Sequence, residues 1–575
     1  MEHLSTYVTM SEIARRPVPL EMLPPLLQRH GGLQTFLALA KLAALMANSA
    51  GGPTSPAILD RTNRELVKLR FHGDPLLHDV GEAFLAIGNS RAVAHEQAIY
   101  FLQALALVYG RDEGGPPTDD SLALMLLAVN DYMDDWLDDG DLDELEHSVA
   151  GFFLSSRFSG RSEHFYSIIR VRLMYRVPPR SPISSEEWRA AEVEAFGMPF
   201  GDYFDSFVLP LVLQSTTWCK NGIDDSPPVI HPSSWFGETR LGADYARELL
   251  KRLVVSREVA AAGVRTLMKP GSIPHAPQVF FRTPFLELSD DAIVAASPYV
   301  VRDHLHLGIW AGFMAAFKRL YRQKGAEYWL TGFGDLFEAW CRRVVKQGLP
   351  VLPVGYKVHL SEGIGGRDEI EDVVFYDAER VVLVSIKAWV VPEDAVRQAA
   401  SRAEAIKWLR RQFYQSSCGS RRAGAIPLLD NKVAALRAGA WPQLNRNAKV
   451  FPVVITFDDV GDNAALYSWL DRENQRRGLL KDEAVAPLTV GSVSDFEAFM
   501  QLVNGGANPL DILEGKTREQ QHTRARFRDW LHSLGDPEGR PPSWAQAQFA
   551  EVAHGAMTKL FEDSTKLHTG EGDGI

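Results

Sequence analysis

The sequence predicts an α/β central domain, a mixed sheet flanked by helices, behind a mainly α-helical N-terminal region. Three observations carry this. Apolar residues recur at three- and four-residue spacing through most of the first 300 positions. The period changes near Trp329, where a helical stretch gives way to three β-rich runs, a long helix and a mostly apolar strand. The chain has 575 residues, more than one core closes, so about three domains of roughly 150–200 residues are expected. We divide it at 1–300, 301–500 and 501–575, the last comprising helices and a tail after Lys566 expected to be disordered.

In the N-terminal region the spacing predicts helices over 20–45, 95–107, 121–137 and 243–264. Pro/Gly-rich breaks separate them at Gly51-Gly52-Pro53, 114–117, 178–182 and 226–232. Residues 280–297 read as two short strands around Asp290-Asp291, followed by a helix over 298–324. The longest apolar stretch, 33–47, carries Lys41 and is too short to cross a bilayer, so no membrane partner is expected.

The central elements follow in order. A helix over 334–347 opens with Asp335 near its positive end. Strands are predicted over 355–360, 370–376 and 380–390, the last two joined by the short turn Asp377-Ala378-Glu379. A helix over 392–415 starts with Pro392-Glu393-Asp394, as a helix N-terminus should. After a polar loop at 416–424, the apolar run 450–457 reads as a buried, parallel strand. A helix over 464–477, a strand over 485–490 and helices from Ser494 complete the chain.

Composition narrows the class. A hydrophobic fraction of 46% and a charged fraction of 23% belong to an ordinary globular protein and exclude a disordered, collagenous or coiled-coil chain. Three distant cysteines, Cys219, Cys341 and Cys418, form neither a disulfide framework nor a zinc cluster, which points to a reducing, cytoplasmic setting. Met1-Glu2-His3-Leu4-Ser5 lacks a basic segment followed by an apolar one, so no secretory leader is expected. The net charge of −12 argues against coating nucleic acid with the whole surface. Residues 316–449, however, carry 22 Lys/Arg against 14 Asp/Glu, a local excess of 8 positive charges that can steer a polyanion to one site.

Within that basic block, Gly334-Asp335-Leu336-Phe337-Glu338 lies on the first helix, Glu371-Asp372-Val373-Val374 on one strand and Leu383-Val384-Ser385-Ile386-Lys387-Ala388 on the next. This order resembles the PD-(D/E)XK, or restriction-endonuclease-like, nuclease superfamily over roughly residues 331–490. The resemblance implies metal-dependent hydrolysis of phosphodiester bonds in DNA, less readily RNA, in genome defence or repair. Such hydrolysis needs a cation to neutralise phosphate charge and lower the pKa of a water. Hard Mg²⁺, or Mn²⁺, takes oxygen ligands. The resemblance makes Asp372 the metal ligand, Glu338 a supporting carboxylate and Lys387 the cation that holds water and phosphate. Residues 385 and 387 share a strand face.

The sequence departs from the family at Ser385, where an Asp or Glu is expected, and at Glu371, which replaces the proline. A hydroxyl supplies no charge. Either a displaced carboxylate (Glu338, Glu371 or Glu369) rescues the metal site, or the fold persists without catalysis as a nucleic-acid-binding or protein-interaction scaffold. The following helix and loop carry Gln398, Arg402, Arg410, Arg411, Arg421 and Arg422, with Trp408 and Tyr414 among them, side chains suited to gripping phosphates and stacking on bases. A third reading, by architecture alone, has the N-terminal helices sense a ligand or protein partner and gate the centre.

Two motifs compete less well. Residues 135–146 match an EF-hand loop at Asp135, Asp139, Gly140, Asp143 and Glu146, but Leu137 sits where an acid or amide belongs and no second hand is visible; an acidic helix-connecting turn fits better. His304 and His306 lie two apart, on opposite sides of a helix, and make a poor metal pair.

Overall fold

The computed structural model describes residues 22–47, 96–135, 142–156, 164–176, 178–179, 183–220, 227–237, 239, 241–267, 280, 283–349, 355–361, 370–390, 402–415, 424–461, 463–518, 520–535 and 543–561. The helix expected over 20–45 is broken into Leu23–Leu27 and Gly32–Ala47. The break falls at Gly31-Gly32, where the backbone presses against the turn after the Glu96–Tyr109 helix. A Cβ on Gly31 would lie 2.4 Å from the Gly114 carbonyl oxygen, and one on Gly110 would lie 2.3 Å from Gly32 Cα. Two helices can approach this closely only where neither carries a side chain. A Gly110→Ala substitution should therefore cost about 1–3 kcal/mol by overpacking, seen as a lower unfolding temperature; an unchanged transition would show that the contact yields freely.

The helix expected over 243–264 is also interrupted. Gly242–Leu250 and Arg257–Leu267 flank a short strand, β2 (Val254–Val255), because two adjacent β-branched residues find a partner strand beside them. With β1 (Val229–Ile230), β3 (Phe285–Ser289) and β4 (Ala292–Ala295) it forms a four-stranded sheet ordered β1-β4-β3-β2. The hairpin β3–β4 turns at Asp290-Asp291, as expected. Downstream, the helix expected over 298–324 is Pro298–Asp303, a π-helical turn His304–Gly308 and Ile309–Tyr321.

His304 is buried in that turn, neither ring nitrogen has a hydrogen-bond partner, and the ring lines a small cavity with Val208, Leu253 and Phe285. Burial pulls its pKa down to about 4. Below pH 6.5 the unfolded chain binds a proton that the folded chain refuses. The stability this neutral ring protects is therefore complete above 6.5 and falls by about 3 kcal/mol towards pH 4. Thermal unfolding between pH 7.5 and 4.5 should lose this part of its slope in His304→Leu; parallel profiles would contradict it.

The second sheet holds five strands: β5 (Lys357–Leu360), β6 (Val373–Tyr376), β7 (Arg380–Lys387), β8 (Lys449–Thr456) and β9 (Thr489–Ser492). The first three form an antiparallel meander, and β8 and β9 continue in parallel with β7. Helices cover both faces. Val382, Val384 and Ile386 pack in one apolar cluster with Phe337, Trp340 and Val344 of the Gly325–Gly348 helix. Val381 and Leu383 pack in the other with Ala405, Leu409, Leu429 and Val433. Burial on both sides is why β7 and β8 read as near-continuous apolar runs rather than alternating ones.

The described part of the helix expected over 392–415 is Arg402–Tyr414. Sequence reasoning missed the Ala425–Arg437 helix. The Ala464–Arg477 helix has the expected bounds, with the Asn463 side chain accepting from Ala465 and Leu466 N–H and Gly478 closing it at φ +76°. The strand expected over 485–490 is β9, shifted C-terminally, while Val485 makes only an isolated bridge to Val450.

The C-terminal Ser543–Phe561 helix packs on the π-helical turn Phe204–Val208 and on the His164–Met174 helix. One apolar cluster thus runs from Ile168 to Val552, across residues 300 and 500. A buried ion pair crosses the same span: Arg170 Nη1 donates to both Glu497 oxygens, at 2.8 and 2.7 Å, and Trp340 Nε1 donates to Glu497 Oε1 at 2.8 Å. Among the described residues no helix is long and apolar enough to cross a membrane.

Candidate active site

The corner of interest is where β6 begins and β7 ends. The ladder between them stops at Val373 opposite Val384. Beyond it the chain bends at Asp372, whose Oδ2 accepts the Ile386 backbone N–H at 2.6 Å, while its carbonyl accepts the Ser361 N–H at 3.2 Å. The carboxylate is thus held against the strand that carries Ser385 and Lys387. Lys387 ends β7 beside Thr456 of β8.

Glu338 approaches from the Gly325–Gly348 helix, on the other side of the sheet. Arg342, one turn on, lies 3.5 Å from Glu338 Oε2 and donates to the Ser361 carbonyl at 3.4 Å. One guanidinium therefore ties the helix to the β5–β6 loop. Burial pushes the Glu338 carboxyl up to about 7, and the Asp372 charge adds to this, opposed by Arg342 and Lys387. The three residues expected to act together, Glu338, Asp372 and Lys387, do share one electrostatic environment.

A fourth member is Glu371, one of the three carboxylates that the sequence offers in place of the acid missing at position 385. Glu371 is only 7% exposed. Burial raises its carboxyl to about 7, with Asp372 again adding, opposed by Lys387, the Ser385 hydroxyl and Lys432 of the Ala425–Arg437 helix. Its sequence signal is an acid beside Asp372 at the mouth of an apolar strand. Ser385 itself is fully buried, its hydroxyl turned to the Glu371 carboxylate. Cys341, one turn from Glu338, is buried and its thiol is pushed up, chiefly by burial and then by the charges of Glu497 and Asp372; it stays neutral.

The expected nucleic-acid contacts fare unevenly. Gln398, Arg421 and Arg422 lie outside the described residues, as does Glu369, and Arg402 is described only as the first residue of its helix. Arg411 is exposed. Arg410 is engaged: it makes an ion pair with Glu146 and lies 3.5 Å from Glu473. Trp408 and Tyr414 are buried, and the Tyr414 hydroxyl donates to Asn474 Oδ1 at 2.8 Å, so neither ring is offered to a base.

The acidic stretch before Glu146 is a helix start. Asp143 accepts the N–H groups of Leu145 and Glu146 and pairs with Arg472 at 2.6 Å, and Glu146 bridges Arg410 and Arg472; residues 136–141 lie outside the described set.

Among the described residues no group of three His, Cys, Asp or Glu is spaced to hold a metal ion as it stands. Two carboxylates with water suffice for Mg²⁺, which keeps most of its hydration shell. Asp372 and Glu338 have the required hard oxygens, and Asp372 raises the pKa of Glu338 by a repulsion that a cation would relieve. The donor set fits. Comparison of the chain with protein-family models, with curated proteins and with solved structures returns no match.

Proposed function

We propose that this chain is a metal-dependent nuclease of the PD-(D/E)XK type, hydrolysing phosphodiester bonds in DNA and less readily in RNA. The observation that carries the reading is that Asp372 is bonded to the end of β7, which carries Lys387, and that both charges act on Glu338 of the Gly325–Gly348 helix. The element order supports it: a helix, an antiparallel three-strand meander, then helices and a strand parallel to the third.

Asp372 and Glu338 would hold Mg²⁺ or Mn²⁺, which would supply charge neutralisation at the phosphate and a more acidic water. The chain's own residues do the rest. Lys387 Nζ donates to a phosphate oxygen and to the attacking water, and its charge offsets the negative charge that grows on the phosphoryl oxygens. The hydrogen bond from Ile386 N–H fixes the Asp372 carboxylate before substrate arrives, and Arg342 steadies Glu338. The basic block around the site raises the local concentration of a polyanion.

One observation favours a second reading, a nuclease fold without catalysis that binds nucleic acid or protein: the neutral Ser385 at the corner. The test is incubation of pure protein with single- and double-stranded DNA and with RNA, in Mg²⁺ and in Mn²⁺, beside Asp372→Ala and Lys387→Ala. Metal-dependent cutting absent from both variants is expected. No cutting of any substrate would replace the enzyme with the scaffold.

A further inference from the structure

We propose that an arginine array on the Arg402–Tyr414 and Ala464–Arg477 helices binds the phosphate backbone of a nucleic-acid strand. In the strand's absence the acidic start of the Glu144–Ser156 helix occupies the same array. The inference extends the nucleic-acid reading to a surface outside the candidate active site, and needs neither metal nor cleavage.

Three arginines converge on Glu473, whose side chain is 2% exposed: Arg410 at 3.5 Å, Arg476 at 3.0 Å and Arg477 at 3.1 Å. A fourth, Arg472, joins them through Glu146, which pairs with it at 3.4 Å and also pairs with Arg410. Asp143 completes the contact, 2.6 Å from Arg472. Four guanidiniums thus meet one internal carboxylate, and Asp143 and Glu146 offset two of the three positive charges left over.

An arginine fork takes two carboxylate oxygens or two phosphate oxygens in the same geometry, so an acidic turn and a nucleic-acid backbone compete for it. The acids are concentrated: residues 134–146 hold eight Asp or Glu in thirteen positions. Arg410 Nε is buried and completes no hydrogen bond, so the turn leaves that guanidinium incompletely satisfied. Arg476, 63% exposed, and the exposed Arg411 extend the array into solvent. Trp389, two residues past Lys387, packs on Phe413 of the Arg410 helix with 5.0 Å between ring centroids. The array therefore sits on the helix that abuts the end of β7. The plain alternative is that these ion pairs only fasten the Glu144–Ser156 helix, whose Val149 and Ala150 share an apolar cluster with Ala405 and Leu409. It predicts a loss of stability and no change in nucleic-acid affinity.

The experiment measures binding of a labelled single-stranded DNA of about 20 nucleotides to the full chain by anisotropy, in EDTA, over about 50–200 mM salt. Thermal unfolding of each variant is recorded alongside. Asp143→Asn keeps the helix cap, because asparagine accepts the same backbone N–H groups. Combined with Glu146→Gln it should bind the DNA about tenfold more tightly than wild type, and log affinity should fall more steeply with log salt, by about 0.7 for each phosphate gained. Adding Arg472→Gln and Arg476→Gln should cancel the gain. A gain that survives those two changes would trace it to overall charge and overturn the proposal. A double variant that binds no more tightly than wild type would also overturn it, and leaves the cleavage test of Asp372 and Lys387 standing. If the double variant unfolds, Asp143→Asn alone decides: binding about threefold tighter supports the array, and unchanged binding removes it. Poly-glutamate bound in preference to the DNA would overturn the assignment and replace the partner with an acidic peptide.

Discussion

An Asp372→Asn variant should lose metal-dependent cleavage by about 10²–10³-fold, the usual cost of removing one charge-stabilising group from an active site, while its unfolding temperature barely moves. The two halves of this expectation have separate causes. Asparagine keeps a side-chain oxygen in place of the Oδ2 that accepts the Ile386 N–H, so the β6–β7 junction keeps its bond. What it loses is the negative charge. Lys387→Ala should fall by a similar factor with no loss of cation affinity, since the lysine serves substrate and water rather than metal. Lys387→Arg should recover only part, because a planar guanidinium cannot take the place of a compact ammonium. Initial rates at saturating Mn²⁺, paired with thermal melts, check all three. Asp372→Asn cutting at the wild-type rate would detach Asp372 from the chemistry.

The largest effect on stability should come from the buried pair of Arg170 and Glu497. Both side chains are 1% exposed. Arg170→Met leaves an ionised carboxylate in the core without its guanidinium, a cost of about 3–5 kcal/mol. Arg170→Met combined with Glu497→Gln should be less damaging than Arg170→Met alone. The glutamine is neutral, and its oxygen still accepts from Trp340. Thermal or urea unfolding of both single variants and the double measures this. A double variant as unstable as the sum of the singles would show that the pair is not coupled.

The central sheet was legible because its strands are buried on both faces and so are written as unbroken apolar runs, punctuated by Asp377-Ala378-Glu379. The Ala464–Arg477 helix was legible because Asn463 and Gly478 mark its ends. The Ala425–Arg437 helix was missed: Pro427 in its first turn and the glycine before it resemble loop punctuation, although proline is tolerated there. At 243–264 helical spacing continued through Val254 and Val255, whose partner strand lies some 30 residues downstream, beyond any local window. At the candidate site, the places of Asp372 just before β6 and of Lys387 at the end of β7 were legible from strand order. Glu371 was read both as the residue in place of the proline and as one of three carboxylates that could stand in at position 385, and nothing in the sequence shows that the chain bends beside it. Arg410 was read as a phosphate contact because its partner, Glu146, is 264 residues away.

The packing of the Ser543–Phe561 helix against the Phe204–Val208 turn bears on how the protein is made. At about 5–20 residues per second, Lys387 leaves the ribosome roughly 10–30 s before the residues that close the core around Ile168. During that interval the nascent chain carries Glu338, Asp372 and Lys387 but not the helix that covers its apolar flank. A product stopped short by premature termination would stay in that state, with greasy surface open to chaperones and proteases. Quality control would then clear it as an unfinished chain.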